Sequence, residues 1–262
     1  MRLLAETSFY TREPTQAPIA GFEFSFPYRQ FETPKCDPSG YVKNNTTQQL
    51  GFTARLMLDT GPDTQSDTDP DSSLGAGLHE SASLQAAAAF LVDATYGAVT
   101  AATLVQMIGR YFFASGAAPG IAMVTVSLAS TYGENATAQV ARSAFEVEQT
   151  GFGAAHILHE DDTLGLYILE VAPHGVIPAH CHQVMRESEL ILDDGLLQQG
   201  RPVARGSAFA WPLGHVHAYH NPTAQPRRIL CIDSPRFMPE DEVPLTAVPP
   251  LVPLAPLANY LA

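Results

Sequence analysis

The sequence predicts two structural classes in one chain: an α+β domain at residues 1–150 and an all-β barrel at residues 151–238. The first is indicated by two helical stretches that lie between pairs of strand-like stretches. The second is indicated by short apolar runs that, from residue 152 onward, are separated by turn residues roughly every eight to twelve positions. A chain of 262 residues is long enough to hold two such domains.

The N-terminal domain is predicted from six elements in the order β-β-α-α-β-β. Their predicted bounds are 22–27, 52–58, 80–95, 99–113, 121–128 and 138–147. The strands alternate apolar and polar residues. The first helix contains a run of alanines with high helix propensity, and the second repeats apolar residues at helical spacing. The acidic stretch 61–77 is expected to be a solvated loop.

The barrel is predicted from a series of short strands. Their predicted bounds are 164–171, 175–184, 187–192, 207–211, 216–221 and 228–233. His156 and His159 precede these strands, and we expect both to be satisfied or to face solvent. Residues 239–262 contain six prolines and show no regular period. This last segment is therefore predicted to be an extended, Pro-rich tail.

The composition excludes several classes of function. The net charge is −13, and such a surface repels the phosphate backbone of nucleic acids, so we expect no nucleic-acid partner. No apolar run approaches the roughly 18 residues that cross a membrane, and the first residues lack the apolar core of a secretory signal. The three cysteines form neither a metal-finger spacing nor a disulfide framework. We expect a cytoplasmic protein with reduced thiols and no membrane partner.

His180 and His182 stand two positions apart in a predicted strand. Because side chains alternate across a strand, both imidazoles point to the same side and can reach one metal ion, whereas Cys181 points away. A later stretch consists of a strand at 208–211, a Pro-x-Gly turn and a return strand that carries His217. His217 is therefore the candidate ligand from across the barrel.

These residues resemble the two motifs of the cupin family. The second motif is a glycine, five residues, Pro-x-Gly, two residues, a histidine, three residues and an asparagine, and residues 206–221 fit it without a gap. In the first motif the two histidines and Glu187 keep the family spacing. Gly175 stands one residue closer to the histidines, and Gly195 one residue farther from Glu187, than the pattern asks. The resemblance covers residues 153–238, about a third of the chain.

The resemblance implies a jelly-roll barrel, also called a double-stranded β-helix, that holds one divalent metal ion. Its implied ligands are His180, His182, Glu187 and His217. Imidazole nitrogens with one carboxylate oxygen suit iron, manganese, nickel, zinc or copper, and the ligand set does not choose among them. The alternative is a barrel without metal in which these residues are structural, but burying such groups without a shared partner is costly.

The identity of the carboxylate ligand is open between Glu187 and Glu189, because residues two apart on a strand face the same side. Glu187 keeps the family count from His182, so we take it as the ligand. Glu189 would then support a ligand, act as a general base or be an edge residue. Tyr219 and Asn221 share the strand parity of the third histidine and can face the cavity. Tyr219 is a candidate for orienting substrate or moving a proton, and a buried tyrosine with a satisfied hydroxyl is the alternative.

The element order of the N-terminal domain resembles the tunnelling fold of dihydroneopterin aldolase and related pterin or purine enzymes, over residues 78–148. That family holds the pterin with a glutamate at the start of its second helix, where this chain has Ala101, Ala102 and Thr103. Its third-strand lysine would fall near residues 127–130, where this chain has none. We therefore expect this domain to serve oligomerisation or to bind a different ligand, and pterin-related aldolase activity is the alternative.

The cupin resemblance implies a metal-dependent enzyme that acts on a small polar molecule. The reaction class expected first is a dioxygenase-type oxidoreductase, followed by a lyase or isomerase. The alternative is a non-catalytic cupin that binds a small ligand while the N-terminal domain assembles a homo-oligomer. Glu189 and Tyr219 facing the metal would favour catalysis, and a cavity with only apolar groups beyond the ligands would favour binding.

Overall fold

The computed structural model describes residues 21–27, 51–59, 74–95, 98–116, 121–130, 135–142, 146–245 and 255–261. Contacts divide the chain into two compact units. Of the described residues, the first unit contains those up to 59 together with 91–109 and 121–142, and the second contains 74–90, 110–116 and all from 146 onward. In these ranges, neither helix has the length and apolar character that a membrane-spanning segment needs.

The first unit contains a four-stranded antiparallel sheet. The strands are β1 (Gly21–Pro27), β2 (Gly51–Asp59), β3 (Met123–Ser130) and β4 (Asn135–Ala141), and they lie side by side in this order. Helices α1 (Leu74–Thr95) and α2 (Ala101–Ala114) come between β2 and β3 in the sequence. The elements therefore occur in the predicted order, two strands, two helices and two strands.

Close packing in the first unit is clearest at Gly109 of α2. A Cβ atom at this position would lie 2.5 Å from Cγ2 of Val140 on β4. A glycine is required there because the helix approaches the sheet more closely than a side chain permits. Around it, the buried apolar residues of the helix and of the sheet form the core; they include Val105, Ile108, Leu56, Val124 and Val126.

Two predicted boundaries in this part of the chain are wrong. Helix α1 begins at Leu74, inside the predicted acidic loop 61–77. The prediction missed its first turn because Gly75 and Gly77 have low helix propensity. The predicted strand 138–147 is two separate strands: β4 ends at Ala141, and β5 (Glu146–Gln149) pairs with a strand of the second unit.

The second unit contains two antiparallel sheets. Its remaining strands are β6 (Gly153–Glu160), β7 (Gly165–Val171), β8 (Val176–His182), β9 (Arg186–Ile191), β10 (Leu197–Gln198), β11 (Arg201–Pro202), β12 (Ser207–Trp211), β13 (His217–His220), β14 (Arg227–Ser234), β15 (Glu242–Pro244) and β16 (Ala258–Asn259). One sheet has the order β11-β10-β13-β8-β15, and the other has the order β16-β12-β9-β14-β7-β6-β5. This mostly β-sheet architecture is consistent with the predicted barrel.

Side chains from both sheets form one apolar core. Its buried members are Val171, Ile177, Ile191, Leu196, Phe209, Trp211, Tyr219 and Ile229. Each of the six predicted barrel strands corresponds to an observed strand, namely β7, β8, β9, β12, β13 and β14. Strand β6 was not predicted, although it carries His156 and His159, because its Gly-Ala-Ala start has low strand propensity.

The described parts of the predicted tail pair with the barrel sheets. Residues Pro239–Asp241 form a short 3-10 turn. Strand β15 follows directly and pairs with β8, so that Glu242 lies opposite His182. Strand β16 pairs with β12 on the other sheet. The sequence predicted an extended, Pro-rich tail here, and its described parts include edge strands of the two sheets. Prolines interrupt the alternation of apolar and polar residues by which strands are recognised.

Candidate metal centre

Three histidines come together on two neighbouring strands of the five-stranded sheet. His180 and His182 lie on β8, and His217 at the start of β13 is the register partner of His180. The ring centroid of His180 lies 5.0 Å from that of His182 and 4.2 Å from that of His217. Cys181 alternates with the two histidines of β8 and accepts a hydrogen bond from Gln183 Nε2. Strand alternation therefore sorts these side chains as predicted.

Glu187 reaches the histidines from the opposite sheet. It lies on β9, and its Oε2 atom is 2.8 Å from His217 Nε2 and 3.5 Å from His182 Nε2. The side chains of Glu187 and of the three histidines are buried, and each offers a ligand atom within 4.8 Å of the others. These four residues could hold a metal ion.

The second nitrogen of two rings is already occupied. His180 Nδ1 lies 2.8 Å from the carbonyl oxygen of Pro178, and His217 Nδ1 lies 3.3 Å from that of His215. A carbonyl oxygen only accepts, so each Nδ1 carries a hydrogen, and Nε2 is the nitrogen that is left for the cluster. Holding one ring nitrogen in this way is how proteins orient histidines that bind metal through the other.

The inner atoms of the cluster lie close together. His217 Nε2 and Glu187 Oε2 are both buried and are 2.8 Å apart, at ion-pair distance but without the geometry of a directed hydrogen bond. Two ligands that lie about 2.0–2.2 Å from one ion, at about a right angle to each other, are separated by about 2.8–3.1 Å. The two atoms are therefore close enough to be neighbouring ligands of one cation.

The pKa values of Glu187 and His217 show that each group stabilises the charged form of the other. Burial alone lowers the pKa of His217, but the Glu187 carboxylate outweighs it and raises that pKa to about 9. Burial alone raises the pKa of Glu187, but His217 and His182 outweigh it and hold that pKa well below its usual range. Burial and the charge of His217 together lower the pKa of His180. A divalent cation held by these residues would place positive charge beside Glu187 in the same way.

Glu189 lies beside this centre and is held by two donors. Trp211 Nε1 and the hydroxyl of Tyr219 both donate to Glu189 Oε2, each at 2.5 Å. Burial raises the pKa of Glu189 to about 7, the charge of Glu187 acts in the same direction, and the two donors oppose it. The Trp211 ring also stacks on His217, with centroids 4.4 Å apart. Glu189 is thus a buried, oriented carboxyl group next to the metal ligands.

Both candidate glutamates face a cavity of about 410 Å³ between the two sheets. His180 and His182 also line it, together with an apolar wall that includes Phe152, Ile157, Leu169 and Ile177. Tyr219 is buried and lies behind Glu189, where its hydroxyl also accepts from Gln198 Nε2 at 3.5 Å. Its contact with the cavity is therefore through Glu189.

Cys231 and Asp233 also line this cavity, and the sequence patterns did not single them out. Both lie on β14, beside β9, where Cys231 is the register partner of Glu189 and Asp233 that of Glu187. The Cys231 Sγ atom lies 3.2 Å from Glu187 Oε1 and 3.2 Å from Asp233 Oδ1. Burial raises the pKa of both side chains well above its usual value. Their alternating positions at the end of a strand were the available signal.

Asn221 differs from its prediction. Its strand parity predicted a side chain that can face the cavity, but its Nδ2 atom donates to the backbone carbonyls of Val171, Ala172 and Gln225 at 2.7 to 3.0 Å. The asparagine of the second motif therefore ties the end of β13 to neighbouring backbone. Its role in this structure is to fix the chain rather than to contact a ligand.

Charged side chains surround the mouth of the cavity. Glu148, Glu160, Glu240, Glu242 and Arg236 line it. Arg236 Nη1 lies 2.6 Å from Glu160 Oε1, so its positive charge is already paired. The lining that the structure describes therefore offers several carboxylates and a single guanidinium that is engaged with one of them.

The comparisons with known proteins found solved structures but no family. No family model and no curated protein matches the sequence. One matching structure is a protein from Planctomyces limnophilus, 20% identical, covering 40% of this chain and 93% of that chain with a TM-score of 0.33. Another is a sugar phosphate isomerase from a cupin superfamily, from Silicibacter pomeroyi, 20% identical, covering 31% and 58% with a TM-score of 0.29. A third is the polyketide cyclase RemF from Streptomyces resistomycificus, 23% identical, covering 39% and 87% with a TM-score of 0.33.

Proposed function

We propose that this protein is a metal-dependent cupin enzyme that acts on a small polar molecule. The observation that carries the proposal is the cluster of four buried ligand-type side chains, His180, His182, Glu187 and His217, whose ligand atoms all lie within 4.8 Å of one another. Burying three imidazoles and a carboxylate together is costly, and a shared divalent ion would offset that cost. When bound, such an ion polarises an oxygen-bearing substrate or activates dioxygen.

The reaction class that we propose first is a dioxygenase-type oxidoreductase, with a lyase or isomerase as the next choice. A carboxyl group whose pKa lies near neutrality can exchange protons, and Glu189 at about 7 fits that role beside the metal ligands. In this proposal Glu189 moves a proton at its carboxyl oxygen, and Tyr219 orients it through their hydrogen bond. The polar groups Glu189, Cys231 and Asp233 in the cavity favour catalysis over simple ligand binding.

The cavity lining also bears on the substrate. A volume of about 410 Å³ lies within the range of about 300–1,000 Å³ that holds small molecules. Because Arg236 is already paired with Glu160, an anionic substrate would find only the metal ion as a free positive charge in the described lining. We therefore propose a neutral or cationic substrate with an oxygen atom that can reach the metal and an apolar part that packs on Leu169 and Ile177.

For residues 1–150 we propose that they assemble a homo-oligomer. The positions at which the tunnelling-fold enzymes hold pterin are Ala101 to Thr103 here, and these side chains cannot bind a pterin ring as a carboxylate does. Pterin-related aldolase activity is therefore the weaker hypothesis. The second candidate function for the whole chain is a non-catalytic cupin that binds a small ligand.

Elemental analysis tests the proposal directly. We expect purified wild-type protein to carry about one divalent metal ion per chain, and the His180→Ala and His182→Ala variants to lose it. Oxygen uptake with a panel of small alcohols, amines, thiols and catechols, with iron added back, then separates dioxygenase from lyase activity. Absence of metal from the wild-type protein would sink the enzyme proposal. Tight binding of a small molecule without turnover would support the non-catalytic alternative.

A further inference from the structure

Asp241, which follows β14 in the sequence, contacts the backbone next to the candidate metal ligands. It is the last residue of the 3-10 turn Pro239–Asp241, directly before β15, and its side chain is buried. Its Oδ1 atom accepts from the backbone N–H groups of Gln183 and Val184, each at 3.0 Å. Its Oδ2 atom accepts from Val184 at 3.1 Å and from Met185 at 2.8 Å. One carboxylate therefore gathers three consecutive N–H groups.

These three residues are the connection between β8 and β9. His182 ends β8, and Glu187 is the second residue of β9, so the loop 183–185 separates two proposed metal ligands on opposite sheets. The path of this loop sets how far the imidazole and the carboxylate stand from each other. A carboxylate that holds every N–H of the loop fixes that path more strictly than solvent would.

The same carboxylate faces one of the ligands. Asp241 Oδ2 lies 3.9 Å from His182 Nδ1. That nitrogen is buried and has no hydrogen-bond partner, whereas Nδ1 of His180 and Nδ1 of His217 each meet a backbone carbonyl. Histidines that bind a metal through one nitrogen almost always donate the other N–H to a carbonyl or a carboxylate. For His182, the Asp241 carboxylate lies on the Nδ1 side of the ring, at ion-pair distance rather than at hydrogen-bond distance.

We propose that Asp241 is a positioning residue of the metal centre, which fixes the loop 183–185 and orients the ring of His182 so that Nε2 faces the shared ligand position. The inference rests on the proposed function, because it assigns Asp241 a role toward the metal ion. The segment that follows β14 then stabilises the end of β8 in two ways. Strand β15 pairs with the backbone of β8, and Asp241 accepts hydrogen bonds from the loop that follows β8.

The chemistry of the residue makes the inference testable. Asparagine has nearly the shape of aspartate, but it has one acceptor oxygen and brings an NH₂ group against the N–H groups of the loop. Asp241→Asn therefore keeps the volume and loses the charge and one of the two acceptor oxygens. Asp162→Asn is the matched control, because Asp162 is an exposed aspartate that does not line the cavity.

The experiment uses full-length protein stripped of metal and titrated with zinc in competition with a chelating dye, and with cobalt for its absorption spectrum. We expect Asp241→Asn to weaken zinc binding about 10-fold to 100-fold and to shift the visible bands of bound cobalt. We expect Asp162→Asn to bind within about twofold of wild type. Zinc binding by His182→Ala is weaker and is followed in the same titration at higher zinc; in that background the effect of Asp241→Asn on zinc affinity should shrink to about threefold or less, because only the contribution through the loop remains.

The outcomes separate this inference from the proposal on which it rests. If wild-type protein binds no metal, the proposed function fails. If wild type binds zinc and Asp241→Asn binds equally well with an unchanged cobalt spectrum, only the positioning role fails. An undiminished effect in the His182→Ala background would also overturn it. If Asp241→Asn does not fold, Asp241→Ser, whose hydroxyl can still accept from one loop N–H, is measured in the same way with the same expected direction.

Discussion

The two sheets that enclose the cavity carry different chemistry. The five-stranded sheet contributes the imidazoles of His180, His182 and His217, and the seven-stranded sheet contributes the carboxyl groups of Glu187, Glu189 and Asp233. All of these carboxyl groups are buried, but their pKa values move in opposite directions. Only that of Glu187, which touches the imidazoles, is lowered; those of Glu189 and Asp233 are raised.

Burial alone does not decide the charge of a carboxyl group. Taking a carboxylate out of water raises its pKa, and a positive neighbour at contact distance lowers it more strongly. Glu187 has two imidazole nitrogens within 3.5 Å, whereas Glu189 has the neutral donors Trp211 and Tyr219. In the proposed function, Glu187 binds the cation and Glu189, two residues later, exchanges a proton.

The largest expected effect comes from replacing each of the two glutamates, Glu187 and Glu189, by glutamine and comparing the losses. We expect Glu187→Gln to weaken metal binding by about 100-fold or more, because it removes the single charged ligand of the centre. We expect Glu189→Gln to change metal affinity by less than about tenfold and to abolish turnover. Elemental analysis and zinc competition measure metal binding in both variants, and the oxygen-uptake assay measures turnover. Equal losses in the two variants would contradict the division of roles.

A smaller effect is expected when the orientation of Glu189 is disturbed. Tyr219→Phe removes a hydroxyl that donates to Glu189 and lowers its pKa, so we expect the pKa of Glu189 to rise above about 7 in the variant. We also expect a loss of about 1–3 kcal/mol in the free energy of unfolding, because a hydrogen bond to a charged group is lost in the core. The infrared band of the protonated carboxyl group, followed against pH, reports the first change, and chemical denaturation reports the second. An unchanged titration would show that Tyr219 does not act on Glu189.

The smallest expected effect concerns a carboxylate outside the cavity. Asp161 is exposed, and hydrogen bonds from the hydroxyl and backbone N–H of Thr163 lower its pKa to about 2. Because its folded pKa lies below the ordinary value of 3.8, its stabilisation is fully present above about pH 4 and is lost as the pH falls toward 2. Because solvent screens this exposed carboxylate, we expect Asp161→Ala to lower stability by no more than about 1 kcal/mol at pH 7, and by clearly less at pH 2. Denaturation at both pH values checks this, and a pH-independent loss would point to packing instead.

Sequence reasoning found the parts of the site that are encoded locally. Two histidines on one strand, a glutamate on the next and a histidine after a Pro-x-Gly turn depend only on alternation and spacing, and the structure brings them together. The six barrel strands were recognised for the same reason. Asn221 was misplaced because parity gives the side of a strand but not the hydrogen bonds that a side chain makes with nearby carbonyls.

The rest depends on strand register between distant segments. Cys231 and Asp233 reach the cavity because β14 pairs with β9, and no local pattern gives that pairing. Asp241 reaches the loop 183–185 from more than fifty residues away. Its segment is rich in proline, so its sequence indicated an extended tail rather than an edge strand with a buried carboxylate. Long-range pairing is therefore what the sequence patterns could not supply.

In the proposed metal centre, one cation is held by three imidazoles and the carboxylate of Glu187. Cys231, Asp233 and Glu187 form a second group of possible ligands, so sulfur is the atom that distinguishes the two arrangements. X-ray absorption of the zinc-loaded protein measures this directly. We predict nitrogen and oxygen scatterers at about 2.0–2.2 Å and none at the sulfur distance. A sulfur scatterer at about 2.3 Å, together with zinc binding that survives in His180→Ala and fails in Cys231→Ala, would contradict the claim.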